Sequence, residues 1–124
     1  MEKKIHRLFV CTTCASTWQD GKRIGKSGGD RLFAELLELH QNWNLKAEFL
    51  IEPVSCMSAC SRSCVVSFSA SGKYTYLFGE LSESVATAIL DCASSYHAHS
   101  QGNLPWSERP EPLKKGILAK IPTI

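Results

Sequence analysis

Residues 5–10 open the folded part of the chain with an apolar run centred on Leu8-Phe9-Val10. That run predicts a strand buried on both faces, and Cys11 stands where it ends. Residues 15–29 are polar, and Gly21, Gly25, Gly28 and Gly29 interrupt any period, so this stretch predicts a long loop. Leu32, Phe33, Leu36, Leu37 and His40 then recur at helical intervals, after Ser27 and Asp30 at a spacing like a capping box. A helix is predicted to about Trp43, closed by Asn42 and Asn44.

Ala47, Phe49 and Ile51 alternate with Glu48, Leu50 and Glu52. This period-two pattern predicts a second strand, which Pro53 should limit. Residues 64–68 and 74–78 are rich in β-branched and aromatic side chains and flank Ser71-Gly72, which predicts an antiparallel hairpin. Ser82 is positioned to cap a second helix in which Val85, Ala88, Ile89, Cys92 and Tyr96 share one face, ending at residues 97–99. From about Ser100, Pro105, Pro110, Pro112 and Pro122 break the chain, and only Leu113, Ile117 and Ile121 suggest a short amphipathic turn. The expected order is β-α-β-β-β-α, an α/β sandwich over residues 1–99. Residues 100–124 form a tail that docks on the domain or on a partner, since its aliphatic residues and Trp106 would otherwise be exposed.

The composition fits one folded domain: the chain has 124 residues, 44% of them hydrophobic and 21% charged. The net charge of +2 comes from the tail, where Arg109, Lys114, Lys115 and Lys120 outnumber Glu108 and Glu111. The body is neutral, which argues against a nucleic-acid footprint. The first apolar run is too short for a signal peptide or a membrane span, so a cytoplasmic protein is expected. In a reducing compartment, six cysteines point to metal or redox chemistry more than to a disulfide framework.

Five of the cysteines gather in two loops. Cys11 and Cys14 follow the first strand, and Cys56, Cys60 and Cys64 follow the second. If those strands are parallel neighbours joined by the helix, both loops leave the same carboxyl edge of the sheet. Thiolates suit iron–sulfur clusters or Zn²⁺ and disfavour hard cations. Cys92 lies on the apolar stripe of the second helix and reads as a buried hydrophobe.

The element order, the Cys after the first strand, and the run from Cys56 through Met57, Ser58, Ala59, Cys60, Ser61, Arg62 and Ser63 to Cys64-Val65-Val66 together resemble the thioredoxin-like two-iron two-sulfur ferredoxins over about residues 5–97. The loop of residues 11–29 and the tail from Lys114 to Pro122 look like the small "predicted metal-binding" proteins related to them. The resemblance implies a thioredoxin-like sandwich with a mixed four-stranded sheet. It also implies cluster ligation by Cys11, Cys56 and Cys60. For the fourth ligand, Cys14 is the nearest substitute for a Cys that the ferredoxins carry further along the first loop. Cys64 is its rival, in a place where the resemblance leads one to expect proline.

Other motifs are weaker. The run from Gly21 to Ser27 is one residue short of a phosphate-binding P-loop. Cys11 and Cys14 have the spacing of a redox dithiol, but in sequence the helix that would stabilise a thiolate lies far away. His6, His40, His97 and His99 share no short motif with the cysteines and read as structural. Arg62 is positioned in sequence to donate to cluster sulfur. The expectation is therefore a non-enzymatic electron carrier or sensor holding a 2Fe-2S cluster and serving a redox partner protein. The alternatives are a zinc or metal-trafficking module and a dithiol oxidoreductase using Cys11 and Cys14. An exposed hairpin edge and the tail leave room for a homodimer.

Overall fold

Strand β1 (His6–Cys11) forms over the opening apolar run, and the computed structural model describes residues 5–12, 17–20, 22–25, 28–54 and 64–122. His6, Leu8 and Val10 are buried, Phe9 is half-buried and Arg7 is exposed. Helix α1 (Gly28–His40) carries the chain across to β4 (Phe49–Val54), which pairs parallel with β1. This is the βαβ unit that the two apolar runs and the intervening helical period predict. The helix ends at His40, short of the expected end near Trp43: the backbone turns from residue 41, and His40 Nε2 bonds the Phe49 carbonyl at 3.0 Å. Pro53 lies inside β4 instead of ending it. An edge strand has one unpaired side, so a missing N–H is tolerated there.

β5 (Val66–Ala70) and β6 (Thr75–Phe78) form the expected hairpin, closed where the Lys73 N–H donates to the Ala70 carbonyl at 3.2 Å. Helix α2 (Ala86–Ala98) follows a short 3-10 turn at Glu83–Val85. Ser82 occupies the predicted cap position but makes no side-chain capping bond, since its Oγ pairs with Ser84 Oγ at 2.7 Å.

The residues past α2 depart from expectation. Glu111–Lys115 make a short helix α3, and Ile117–Ile121 make strand β7, antiparallel to β6. The sheet thus has five strands in the order β4-β1-β5-β6-β7, where four were expected. The i, i+4, i+8 spacing of Leu113, Ile117 and Ile121 mimics a helix, but Gly116 divides it. A Cβ at Gly116 would stand 2.6 Å from the Gly79 carbonyl, so only glycine lets β7 approach β6 there. The 15–29 stretch also departs from a plain loop. Thr17–Gln19 (β2) and Lys22–Ile24 (β3) pair antiparallel as a separate two-stranded sheet, with Asp20 in the left-handed region at φ 52°. Asp20-Gly21 is a hairpin signal that the surrounding glycines obscure.

Both long helices lie on one face of the sheet, with α1 touching α2. Tyr96 of α2 stacks on Phe68 and meets Tyr76 edge-on, at ring separations of 5.7 and 6.3 Å. Each buried ring contributes about 1.5–3 kcal/mol through the apolar surface it hides. Lys73 is buried and donates from Nζ to the carbonyls of Tyr96 and His97 at 3.0 and 3.1 Å. It thereby satisfies the last turn of α2, where a cation is also favoured by the helix dipole. The opposite face is more polar, with Arg7 Nη1 bonded to Glu52 Oε1 at 2.6 Å and Ser69 Oγ near Thr75 Oγ1 at 3.3 Å. No helix among the described residues is long and apolar enough to cross a membrane.

Candidate metal centre

Cys11 closes β1 at the carboxyl edge of the sheet and is 1% exposed. Two neighbours hold its backbone. Its N–H donates to the Val65 carbonyl at 3.0 Å, and Val54, the last residue of β4, is its register partner. The next residue, Thr12, donates from N–H to the Val54 carbonyl at 2.9 Å and leans its hydroxyl on the same oxygen at 3.4 Å.

Cys64 returns the chain to the same edge just before β5. Its N–H donates to the Leu81 carbonyl at 3.0 Å and its own carbonyl accepts from Leu81 N–H at 3.1 Å, which fixes it between β5 and the approach to α2. The side chain is buried. Desolvation pushes the Cys64 thiol above its ordinary value, the neighbouring Cys11 charge pushes it further, and the Arg31 guanidinium opposes both. Cys11, Cys64 and Cys92 all lack a disulfide.

The first turn of α1 completes this edge. A Cβ placed on Gly29 would stand 2.0 Å from the Cys11 carbonyl oxygen and 3.0 Å from the Thr12 carbonyl carbon, so the helix start rests directly on the strand end. The residues between Cys11 and α1 separate the two in sequence but not in space. The start of α1 thus lies against the Cys11 backbone, and the Arg31 guanidinium of its first turn acts on the Cys64 thiol. Arg31 Nε is in turn held by Glu83 Oε1 at 3.3 Å. The sequence singled out Arg62 for this electrostatic role. In the structure Arg31 takes it for Cys64, because α1 starts beside Cys11.

Of the predicted ligands, the structure brings Cys11 and Cys64 to one edge, while Cys14, Cys56 and Cys60 lie outside the described residues. Arg62 also lies outside them, as do Gly21, Lys26 and Ser27 of the P-loop-like run. In sequence, Cys56 follows Val54 by two residues, and the segment carrying Cys56 and Cys60 rejoins the described chain at Cys64. Cys92 is wholly buried on α2, with its thiol pushed up to about 12 mainly by desolvation. Among the described residues, no group of three His, Cys, Asp or Glu side chains converges for a metal ion. The histidines are engaged elsewhere: His6 packs on Phe49, Tyr96 and His97, and His99 Nε2 bonds Glu108 Oε2 at 2.9 Å.

Solved structures share this architecture. A thioredoxin-like [2Fe-2S] ferredoxin from Aquifex aeolicus superposes with a TM-score of 0.62 at 19% identity, covering 94% of this chain and 93% of that one. A cysteine-to-serine variant of that ferredoxin gives a TM-score of 0.61 at 17% identity, covering 93% of this chain and 99% of that one. The wild type at 1.5 Å gives 0.57 at 19% identity, covering 94% and 98%. The fold is thus the thioredoxin-like α/β fold of these ferredoxins, carrying a five-stranded sheet. No curated protein matches the chain. A family described as Protein of unknown function (DUF1636) matches residues 8–123. With that match spanning nearly its whole length, the chain belongs to the DUF1636 family.

Proposed function

We propose that the protein is a cysteine-ligated metal protein, holding a two-iron two-sulfur cluster as an electron carrier or sensor. The observation that carries this reading is the meeting of two buried thiols, Cys11 and Cys64, at the carboxyl edge, beside the start of α1 and Arg31. The two segments that leave this edge carry Cys14, Cys56 and Cys60. Buried thiols facing positive potential suit ligation, because a metal takes thiolates, and unpaired thiolates are costly to bury. The ferredoxin likeness in fold supports the same reading.

In this reading Cys11, Cys56 and Cys60 are ligands, and Cys64 fits the fourth place. When bound, the cluster supplies a one-electron couple. The chain's own contribution is to anchor Cys11 in the β1 ladder, to exclude water from the thiols, and to offset their negative charge with Arg31 and the helix dipole. Anaerobically purified protein should be brown, absorb in the visible, and contain iron and acid-labile sulfide in equal amounts. Colourless protein carrying stoichiometric zinc would contradict the cluster.

One observation favours a second reading. The start of α1 against Cys11 is the setting that lowers a thiol pKa in dithiol oxidoreductases. If the protein purifies without metal and Cys11 and Cys14 cycle at a defined reduction potential, this reading replaces the first.

A further inference from the structure

We propose that the chain carries a second site, separate from the carboxyl-edge thiols Cys11 and Cys64, for a small organic anion in which a phosphate is joined to a flat ring. The site is a cleft of about 410 Å³ between β6, β7 and the segment after α2, lined chiefly by Tyr76, His99, Asn103, Trp106, Arg109 and Lys120. Its size lies within the range of small-molecule sites.

The cations in the cleft carry the inference. Arg109 Cζ lies 5.8 Å from the Tyr76 ring centroid and 5.9 Å from that of Phe78, while Lys120 Nζ lies 4.4 Å from the Tyr74 ring and 5.9 Å from that of Tyr76. Two cationic side chains are therefore held along one run of aromatic rings, Tyr74, Tyr76 and Phe78. Arg109 is fixed there by its Nε–H, which donates to the Leu104 carbonyl at 2.9 Å, and Lys120 reaches Asn103 Oδ1 at 3.4 Å. Among the described residues, neither cation has a carboxylate within ion-pair distance. The nearest acid in sequence, Glu108, is engaged with His99 at 2.9 Å. Two cationic side chains that line one cleft without a carboxylate partner favour an anion there. The guanidinium Nη groups suit the paired oxygens of a phosphate.

Trp106 supplies the ring preference. It is 61% exposed, an unusual state for the largest aromatic side chain, and the Lys114 ammonium lies 4.5 Å from its ring. An indole at the rim of a cationic cleft offers a stacking surface for a flat heterocycle whose phosphate reaches the floor. Ring plus phosphate is nucleotide chemistry.

The test is a titration of the full chain with adenosine monophosphate, inorganic phosphate and adenosine, read by tryptophan fluorescence and by NMR shifts. The monophosphate should bind saturably, weaken with added salt, and outcompete phosphate or adenosine alone. Arg109→Gln and Lys120→Gln should each weaken it about tenfold or more, one lost charge-assisted contact each. Lys120→Gln is informative even if the Leu104 contact makes Arg109→Gln unfold. Trp106→Phe should remove the quench, while Trp43→Phe leaves it. Absence of saturable binding, wild-type affinity in a folded Lys120→Gln variant, or preference for an acidic peptide over the monophosphate would each overturn the proposal.

Discussion

Cys64 and Cys92 are both buried thiols whose ionisation is suppressed by desolvation, yet they belong to different regions with different fates. The stripe of α2 that carries Cys92 packs into the core, and there the Arg109 charge opposes the desolvation of the thiol while the Asp91 charge adds to it. Around Cys64 there is a second thiol, a guanidinium, the start of α1 and the ends of two cysteine-bearing segments. Burial alone therefore does not mark a site. What marks it is a second buried thiol at the same edge of the sheet, with the start of α1 against that thiol's strand and further cysteines in the adjoining sequence.

The largest expected effect lies in the core. The Cys92 pKa rises from 9.0 unfolded to about 12 folded. The neutral thiol is the form the fold favours, so its contribution is complete below pH 9 and is lost as pH climbs towards 12. At about 1.4 kcal/mol per pKa unit, wild type should lose on the order of 4 kcal/mol more than Cys92→Ala across that window. Denaturant unfolding at several alkaline pH values measures the difference, and identical pH slopes would erase the distinction drawn for Cys92.

Next in size is the joint between helix and strand. Gly29→Ala drives a Cβ into the Cys11 carbonyl and should cost about 1–3 kcal/mol, the usual range for overpacking. If Cys11 is a ligand, as proposed, it should also lower metal content, because the strain falls on the Cys11 backbone. A loss of stability with full metal loading would separate the fold from the site. The smallest effect is at Arg31. Arg31→Gln breaks an exposed pair with Glu83, worth under about 1 kcal/mol, so the melting temperature should barely move. The Cys64 thiol of metal-free protein should titrate higher in this variant, since the opposing charge is gone. An unchanged alkylation–pH profile would remove Arg31 from the site.

Much of the fold was legible because periodicity reports burial directly. The apolar run of residues 5–10, the period-two stretch before Pro53 and the Ser71-Gly72 hairpin each correspond to strands of the main sheet. β7 was hidden because Ile117 and Ile121 also satisfy a helical spacing, and only the free edge of β6 decides between them. β2 and β3 were hidden because strands of three residues are too short to show a period against nearby glycines. At the candidate site, the shared edge of Cys11 and Cys64 could be read from topology. The positions of Gly29 and Arg31 against it could not, because both depend on how closely α1 meets β1.

The most direct test of the thiolate edge is iron and acid-labile sulfide per chain in anaerobically purified Cys64→Ser and Cys92→Ser variants. The account predicts that Cys64→Ser loses most of its iron, sulfide and visible absorption while remaining folded. Cys92→Ser should keep all three and lose about 1–3 kcal/mol of stability by burying a hydroxyl in an apolar stripe. Equal iron and sulfide in both variants, or the loss confined to Cys92→Ser, would contradict it.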